Sequence, residues 1–440
     1  MILRKAMSGD LRAICDLYEH VSGFMESHGL KQWHWGVYPN RELVERDLAA
    51  GRLYCLYGEH GMAIVVSVAA EADPAYGSVN WHFGVHPGAF HRLAIHPSLY
   101  GRGLEYKAVE DVQSILISLG CDCLRCDTGE DNEKVLRFYE ELKFRRAGVV
   151  SLPGRSETFI AYEKRLVEHC PLLPVRMHPA FRGGALTPWG GEKLRDIFGK
   201  DIRDVPTGES LEASCIPGLE STDDTGAALT ELVRYYGYPM AGAYATQPFP
   251  LLLKLIDARE ALSVQVHPDD SYAREHEGGK LGKTEAWLIL DAPEGAELVY
   301  GIRPGTGLDE LRSACEQGSA VEPLLRRVKV KAGDVCFIPS GCVHAIGAGI
   351  TLYEIQQSSD ITYRFYDWNR VNEKGERRQL HLEQALAVTD LSLNLQPIPA
   401  PDVPCARVLN TAYFTLDLLQ ARDGIALPPI CHFGLLTALD

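Results

Sequence analysis

His344 closes the stretch Gly333-Asp334-Val335-Cys336-Phe337-Ile338-Pro339-Ser340-Gly341-Cys342-Val343-His344. An apolar run meets a Pro-Ser-Gly turn there. Pro339 presets φ and Gly341 can take a positive φ, so the stretch reads as a hairpin with its histidine facing a β-barrel lumen. Upstream, Gln265 and His267 lie two residues apart in Ser263-Val264-Gln265-Val266-His267-Pro268, hence on one strand face, before proline ends the ladder. Glu285 sits in the apolar run Gly282-Lys283-Thr284-Glu285-Ala286-Trp287, where an unpaired carboxylate is costly to bury. Two imidazoles, a carboxylate and an amide suit zinc or a similar divalent ion. Blander readings exist for each residue. His267 can be an ordinary strand-end histidine, Gln265 a hydrogen-bonded strand glutamine or a support for the ligands, and Lys283 a solvated lysine on the barrel rim.

Many short strands must position these groups. Leu251–Ile256, Leu262–Val266, Ala286–Leu290, Leu298–Tyr300, Arg327–Val330, Val335–Ile338 and Leu352–Gln356 are the candidates, and with their turns they predict a barrel or jelly roll. Residues Asp223 to Tyr236 and His381 to Val388 read as helical. On the strand Leu352-Tyr353-Glu354-Ile355-Gln356, alternation puts Glu354 and Gln356 on one face.

The first 166 residues have a different grammar. Helical spacing covers Asp10 to Val21, Glu105 to Leu119 and Asn132 to Leu142, alternating with strands at Leu53–Tyr57, Gly61–Val68, His91–Ile95 and Cys121–Asp127. This predicts an α+β domain. The chain of 440 residues, 46% of them hydrophobic, has room for two or three domains. A net charge of -15 disfavours nucleic acid as a partner, and no run of about 18 apolar residues signals a membrane span. Twelve cysteines without a framing pattern fit a reducing cytoplasm; Cys121-x-Cys123-x-x-Cys126 lacks an obvious fourth zinc ligand and reads as small apolar residues.

The spacing of Gly333, five residues, Pro339-x-Gly341-x-x-His344 resembles the second signature of the cupin barrel. The longer blocks "LSVQVHPDD", "LGKTEAW", "FIPSGCVHAIGAGITLYEIQQSSDITYRFYDWNR" and "PWGGEKLRDIFGK", in order between about Trp189 and His381, resemble the type I mannose-6-phosphate isomerases. The resemblance implies a sugar phosphate as substrate, zinc as cofactor, and an aldose–ketose isomerisation through a cis-enediol. It also implies metal ligation by His267, Glu285, His344 and Gln265. Glu354 would be the proton-transferring base if burial raises its pKa, Arg364 the active-site arginine, and Lys283 a contact for a sugar hydroxyl or phosphate. Arg364 could instead be a structural partner of Asp360 or Asp367.

"HRLAIHPSLYGRGL" and "DTGEDNEKVLRFYEELKF" resemble the acetyl-CoA-binding blocks of the GNAT acetyltransferase family, a likeness covering about Ile2 to Tyr162. It implies a pyrophosphate loop at Gly101, Arg102 and Gly103, a cofactor contact at Asn132, and Tyr139 as the acid protonating the thiolate. Tyr100 and Glu105 depart from the family pattern, and a carboxylate at Glu105 would repel a pyrophosphate. The expected organisation is an acetyltransferase-like domain at 1–166, a linker at 167–178, a mainly-β cupin domain with helical insertions at 179–395, and the start of a second, smaller barrel at 396–440. The competing expectation is an acetyl-CoA-dependent N-acetyltransferase whose barrel only binds a sugar phosphate.

Overall fold

The computed structural model describes residues 2–59, 61–71, 73–152, 155, 157–168, 170–203, 206–371, 374–399, 401, 403, 405–420 and 433–439. The chain divides into two compact units, Met1–Arg176 and Met177–Asp440. The division falls within the stretch read as a linker.

The first unit is one seven-stranded sheet: β1 (Arg4–Lys5), β2 (Leu53–Gly58), β3 (Gly61–Ala69), β4 (Pro87–Ile95), β5 (Cys123–Gly129), β6 (Arg145–Val150) and β7 (Phe159–Arg165), in the order β1-β2-β3-β4-β5-β7-β6. Strand β3 is buried on both faces because helices cover both. Helix α1 (Leu11–Ser27) packs Ile14, Leu17 and Tyr18 against Val65. Helices α3 (Leu104–Ser118) and α4 (Glu133–Glu141) cover the side of Val66 and Val68, with α2 (Arg41–Ala49) preceding β2. Only β4 and β5 run parallel, and they pair over Pro87–Ala89 and Cys123–Arg125 alone. Beyond that point β4 is irregular against β3, with Arg92 at φ 52°. A cavity of about 690 Å³ opens beside the unpaired ends, its wall including Phe90, His91, Asp127 and Asn132.

The second unit is built on two antiparallel sheets. Strands β8 (Ala180–Gly183), β9 (Thr207–Ala213), β10 (Leu251–Ala258), β12 (Glu285–Asp291), β15 (Val335–Ile338) and β17 (Ile350–Gln357) form one, ordered β15-β12-β17-β10-β9-β8. Strands β11 (Val264–Val266), β13 (Glu297–Ile302), β14 (Leu325–Lys329), β16 (His344–Ala345) and β18 (Tyr363–Tyr366) form the other, ordered β14-β13-β16-β11-β18. Period-2 alternation sorts their side chains. Tyr353 and Ile355 of β17, with Ala286 and Leu288 of β12, join an outer apolar layer with Leu229 and Val233 of the helix Leu229–Tyr236. Ile256, Trp287, Leu298, Tyr300 and Leu352 fill the space between the sheets. Val264 and Val266 back onto a third cluster with Leu311 and Leu386, leaving Gln265 to face inward. A two-stranded sheet, β19 (Cys405–Asn410) and β20 (Thr415–Leu419), lays Phe414 and Leu416 on the outer layer.

Several expected elements differ. The helix expected from Asp223 begins only at Leu229, because the Asp223 carboxylate accepts hydrogen bonds from the Thr225 and Ala227 amides and closes a turn instead. The strand expected from Cys121 begins at Cys123. Strand β8 and the helices Asp270–His276 and Leu308–Glu316 were not anticipated.

Candidate active site

Register brings the inward residues together. Gln265 of β11 stands between His344 of β16 and Arg364 of β18. In the facing sheet, Glu354 stands between Trp287 and Lys254, while Glu285 lies opposite Gln356. The turn at Pro339-Ser340-Gly341 forms, with Gly341 at φ 83°, but the expected hairpin does not: β15 pairs with β12 and β16 with β11 and β13, so the turn carries the chain from one sheet to the other.

His267, Glu285 and His344 converge with their ligand atoms within 4.8 Å of one another, all three buried. Among the described residues no other set of His, Cys, Asp or Glu meets this condition, the Cys121–Cys126 stretch included. The His267 Nδ1 lies 2.8 Å from the Ile361 carbonyl, and the His344 Nδ1 lies 2.9 Å from that of Cys342. A carbonyl only accepts, so each Nδ1 carries the proton and each Nε2 presents a lone pair. Neither Glu285 carboxylate oxygen has a hydrogen-bond partner among the described residues. The Lys283 ammonium is ion-paired with Oε2 at 2.8 Å. It also lies 3.2 Å from the His267 Nε2, so a positive charge already stands among the ligand atoms. The donor set thus fits a divalent cation: two neutral nitrogens and a carboxylate whose oxygens accept no hydrogen bond. The Gln265 amide reaches the same place, its Nε2 lying 3.3 Å from the His344 Nε2.

Burial governs the proton affinities. It drives His344 down to about 4 and, with Lys283 and His344 nearby, holds His267 well below the ordinary histidine range. It pushes the Glu285 carboxyl up to about 7, against the pull of Lys283. Lys283 is only 5% exposed, which rules out a solvated rim lysine.

A cavity of about 140 Å³ lies against this cluster, with Gln265, Lys283, Glu354 and Arg364 in its wall. The Glu354 Oε2 accepts the Trp287 indole N–H at 2.9 Å, and its Oε1 lies 3.2 Å from the Lys254 Nζ. A raised pKa for Glu354 was the expectation, and the structure corrects it. Burial pushes the carboxyl up, but Lys254 and Lys283 outweigh burial and hold it below the usual range. Arg364 donates from Nε to the Ser263 hydroxyl at 3.1 Å and from Nη1 to the Gln379 carbonyl at 2.9 Å. Asp367 pairs with Arg370 and Arg378, and Asp360 with Lys280, so neither aspartate is the main partner of Arg364. Sequence reasoning missed Lys254, Glu209, Arg182 and Arg378, all in the same wall. Lys254 carried a readable signal: a lysine inside the apolar strand Leu251–Ile256 demands a counter-ion.

Of its expected cofactor residues, the first unit brings Gly101, Asn132 and Tyr139 into the wall of the 690 Å³ cavity and leaves Arg102 and Gly103 outside it. Gly101 and Gly103 take φ of 73° and 72° in an open loop, and Arg102 is exposed outside the cavity wall. The Asn132 amide donates to the Gln32 Oε1 at 2.8 Å and accepts from the Val135 amide at 3.3 Å. Tyr139 is 6% exposed and packs among Phe90, Phe144 and Tyr162, where burial holds its hydroxyl well above the ordinary range. Glu105 does line the cavity.

Comparison with known proteins divides the chain in the same way. Residues 25–144 match the acetyltransferase (GNAT) family, and residues 188–292 match the catalytic domain of phosphomannose isomerase type I. A mannose-6-phosphate isomerase of Streptococcus mutans is 43% identical over 265 residues, 57% of this chain and 81% of that protein. One from Bacillus subtilis is 44% identical over 261 residues, 57% of this chain and 82% of that protein. The crystal structure of a mannose 6-phosphate isomerase from Bacillus subtilis superposes with a TM-score of 0.51 at 36% identity, covering 56% of this chain and 79% of that one.

Proposed function

Since this chain belongs to the type I mannose-6-phosphate isomerase family, we propose that its barrel interconverts mannose 6-phosphate and fructose 6-phosphate. His267, Glu285, His344 and Gln265 would hold a zinc-class divalent ion. When bound, that ion supplies Lewis-acid polarisation of the substrate oxygens at C1 and C2. The remaining work falls to side chains of the cavity. Glu354, ionised and gripped at Oε2 by Trp287, takes the C2 proton at Oε1 and returns it to C1 through a cis-enediol. The Lys254 ammonium beside that oxygen keeps the carboxylate charged and in place. Arg364, with Nη2 uncommitted among the described residues, offers a guanidinium to phosphate or to the enediolate oxygen. Lys283, beside His267 and Glu285, would be the contact for a sugar hydroxyl.

One observation carries this reading: a buried carboxylate whose oxygens accept no hydrogen bond faces two imidazoles whose lone pairs are fixed toward it. The test is a coupled assay of the purified full chain with mannose 6-phosphate, before and after EDTA. Turnover abolished by the chelator and restored by zinc is expected; no turnover with zinc supplied would refute the proposal.

A second reading concerns the first unit alone: acetyl-CoA-dependent N-acetyl transfer, favoured by the match to the GNAT family and by the 690 Å³ cavity where β4 and β5 part. Calorimetric titration with acetyl-CoA decides it. The described cysteines are all free thiols and no described helix is long and apolar enough to cross a membrane, which supports a cytoplasmic setting.

A further inference from the structure

Resting on the isomerase reading, we propose that Glu209, itself held by Arg182, is a positioning residue that fixes the Lys254 ammonium against the Glu354 carboxylate. The four side chains form one line across the four adjacent strands β8, β9, β10 and β17. Arg182 Nη1 donates to the Glu209 Oε2 at 2.9 Å, Lys254 Nζ donates to the Glu209 Oε1 at 3.2 Å, and the same Nζ lies 3.2 Å from the Glu354 Oε1. Lys254 is 6% exposed, Glu209 7% and Glu354 3%. Charges so buried stand only when paired, and a single lysine between two carboxylates is shared between them. Without Glu209, Glu354 would be the only carboxylate in direct contact with the ammonium among the described residues. The ammonium would then close on the Oε1 atom that must receive the substrate proton.

The backbone makes a specific provision for this pair. Strand β9 pairs with β10 as Ala213 with Leu253 but Leu211 with Lys254, which leaves Glu212 as an extra residue. Ala213 belongs to the outer apolar layer with Leu253, whereas Leu211 and Glu209 fall on the lumen side with Lys254 and Ile256. In an unbroken strand residues 209, 211 and 213 would share one face. The bulge at Glu212 moves Glu209 to the inner face, and bulges beside active sites commonly re-aim a side chain in this way. Glu212 itself is used elsewhere, accepting from Lys200 at 2.8 Å and from the Ser210 hydroxyl at 2.6 Å.

A merely structural ion pair would not act through Lys254, and that difference is measurable. In the zinc-loaded full chain, Glu209→Gln is expected to lower kcat about tenfold or more, with KM within about twofold and zinc content unchanged. Arg182→Met should lower kcat about threefold, and Glu209→Asp should restore part of the loss. In a Lys254→Met background Glu209→Gln should cost nothing further. Losses that multiply in that background, or a Glu209→Gln kcat within twofold of the parent, overturn the proposal. Should Glu209→Gln fail to fold, Arg182→Met in the two backgrounds decides in its place. A second readout needs no turnover: competitive acetylation by acetic anhydride, with Lys280 as the exposed reference and peptide mass spectrometry as the detector. Glu209→Gln should raise Lys254 labelling severalfold, and unchanged labelling refutes the clamp. Absent turnover in the parent chain would instead sink the isomerase reading, and the labelling alone would then judge the clamp.

Discussion

The cleft of the first unit and the cavity beside the buried histidines invert the usual association of size with chemistry. The cleft of the first unit holds about 690 Å³, that of the barrel about 140 Å³. In the larger one, polar groups satisfy one another: Asn132 with Gln32, Gln32 with Thr128, and Tyr106 with Glu141. Beside the smaller one, both Glu285 oxygens and the Glu354 Oε1 lack hydrogen bonds. Folding normally leaves few such orphans, because each costs about 1–3 kcal/mol and charged ones more. The barrel therefore carries a cost that a bound ion and substrate would offset, and the first unit carries none that is visible in its wall.

The sharpest way to break this contrast is to remove a ligand. His344→Ala is expected to cut turnover at least about 1,000-fold and to leave the purified chain without stoichiometric zinc by elemental analysis. An active, zinc-loaded variant would erase the distinction between the cavities. Glu354→Gln should follow, with kcat down about 100- to 10,000-fold while zinc stays bound, as steady-state kinetics beside metal analysis can show. Gly282→Ala is predicted to cost about tenfold in kcat. A Cβ there would lie 2.4 Å from the Asp269 carbonyl carbon and 2.5 Å from the Asp270 nitrogen, so the segment delivering Lys283 must shift.

Acidity should sharpen the contrast further. Metal binding needs Glu285 ionised and both imidazoles neutral. As pH falls, the Glu285 carboxyl protonates near 7, well before His344 near 4. Zinc affinity, measured by competition with a chelating dye, should thus weaken about tenfold per pH unit below 7, following one proton. A flat affinity between pH 5 and 8 would contradict the burial argument. The smallest effect belongs to the first unit. Glu105→Ala should tighten acetyl-CoA binding by a fewfold in low-salt calorimetry, since it removes a carboxylate from the cavity wall.

What could be read beforehand follows from how local each feature is. The Pro339-Ser340-Gly341 turn, the Gln265/His267 alternation and the buried setting of Glu285 are short-range patterns, and they placed the metal cluster by residue. Arg182, Glu209 and Lys254 meet through pairing of strands far apart in sequence, which no local pattern encodes. Strand β8 spans four residues, too short for alternation to register. The proton affinity of Glu354 went wrong for the same reason: burial was legible in an apolar strand, but the ammonium of Lys254 was not.

The extra residue in β9 has a consequence for how such a barrel tolerates length changes. Deleting Glu212 would barely alter hydropathy or strand propensity, and any comparison of composition would pass it as harmless. Yet the shortened strand would have to export either its inward carboxylate, Glu209, or its apolar anchor, Ala213, since one uninterrupted pleat cannot satisfy both. Tolerance to insertion and deletion at this wall is thus set by parity, and an even change should be survived where an odd one is not.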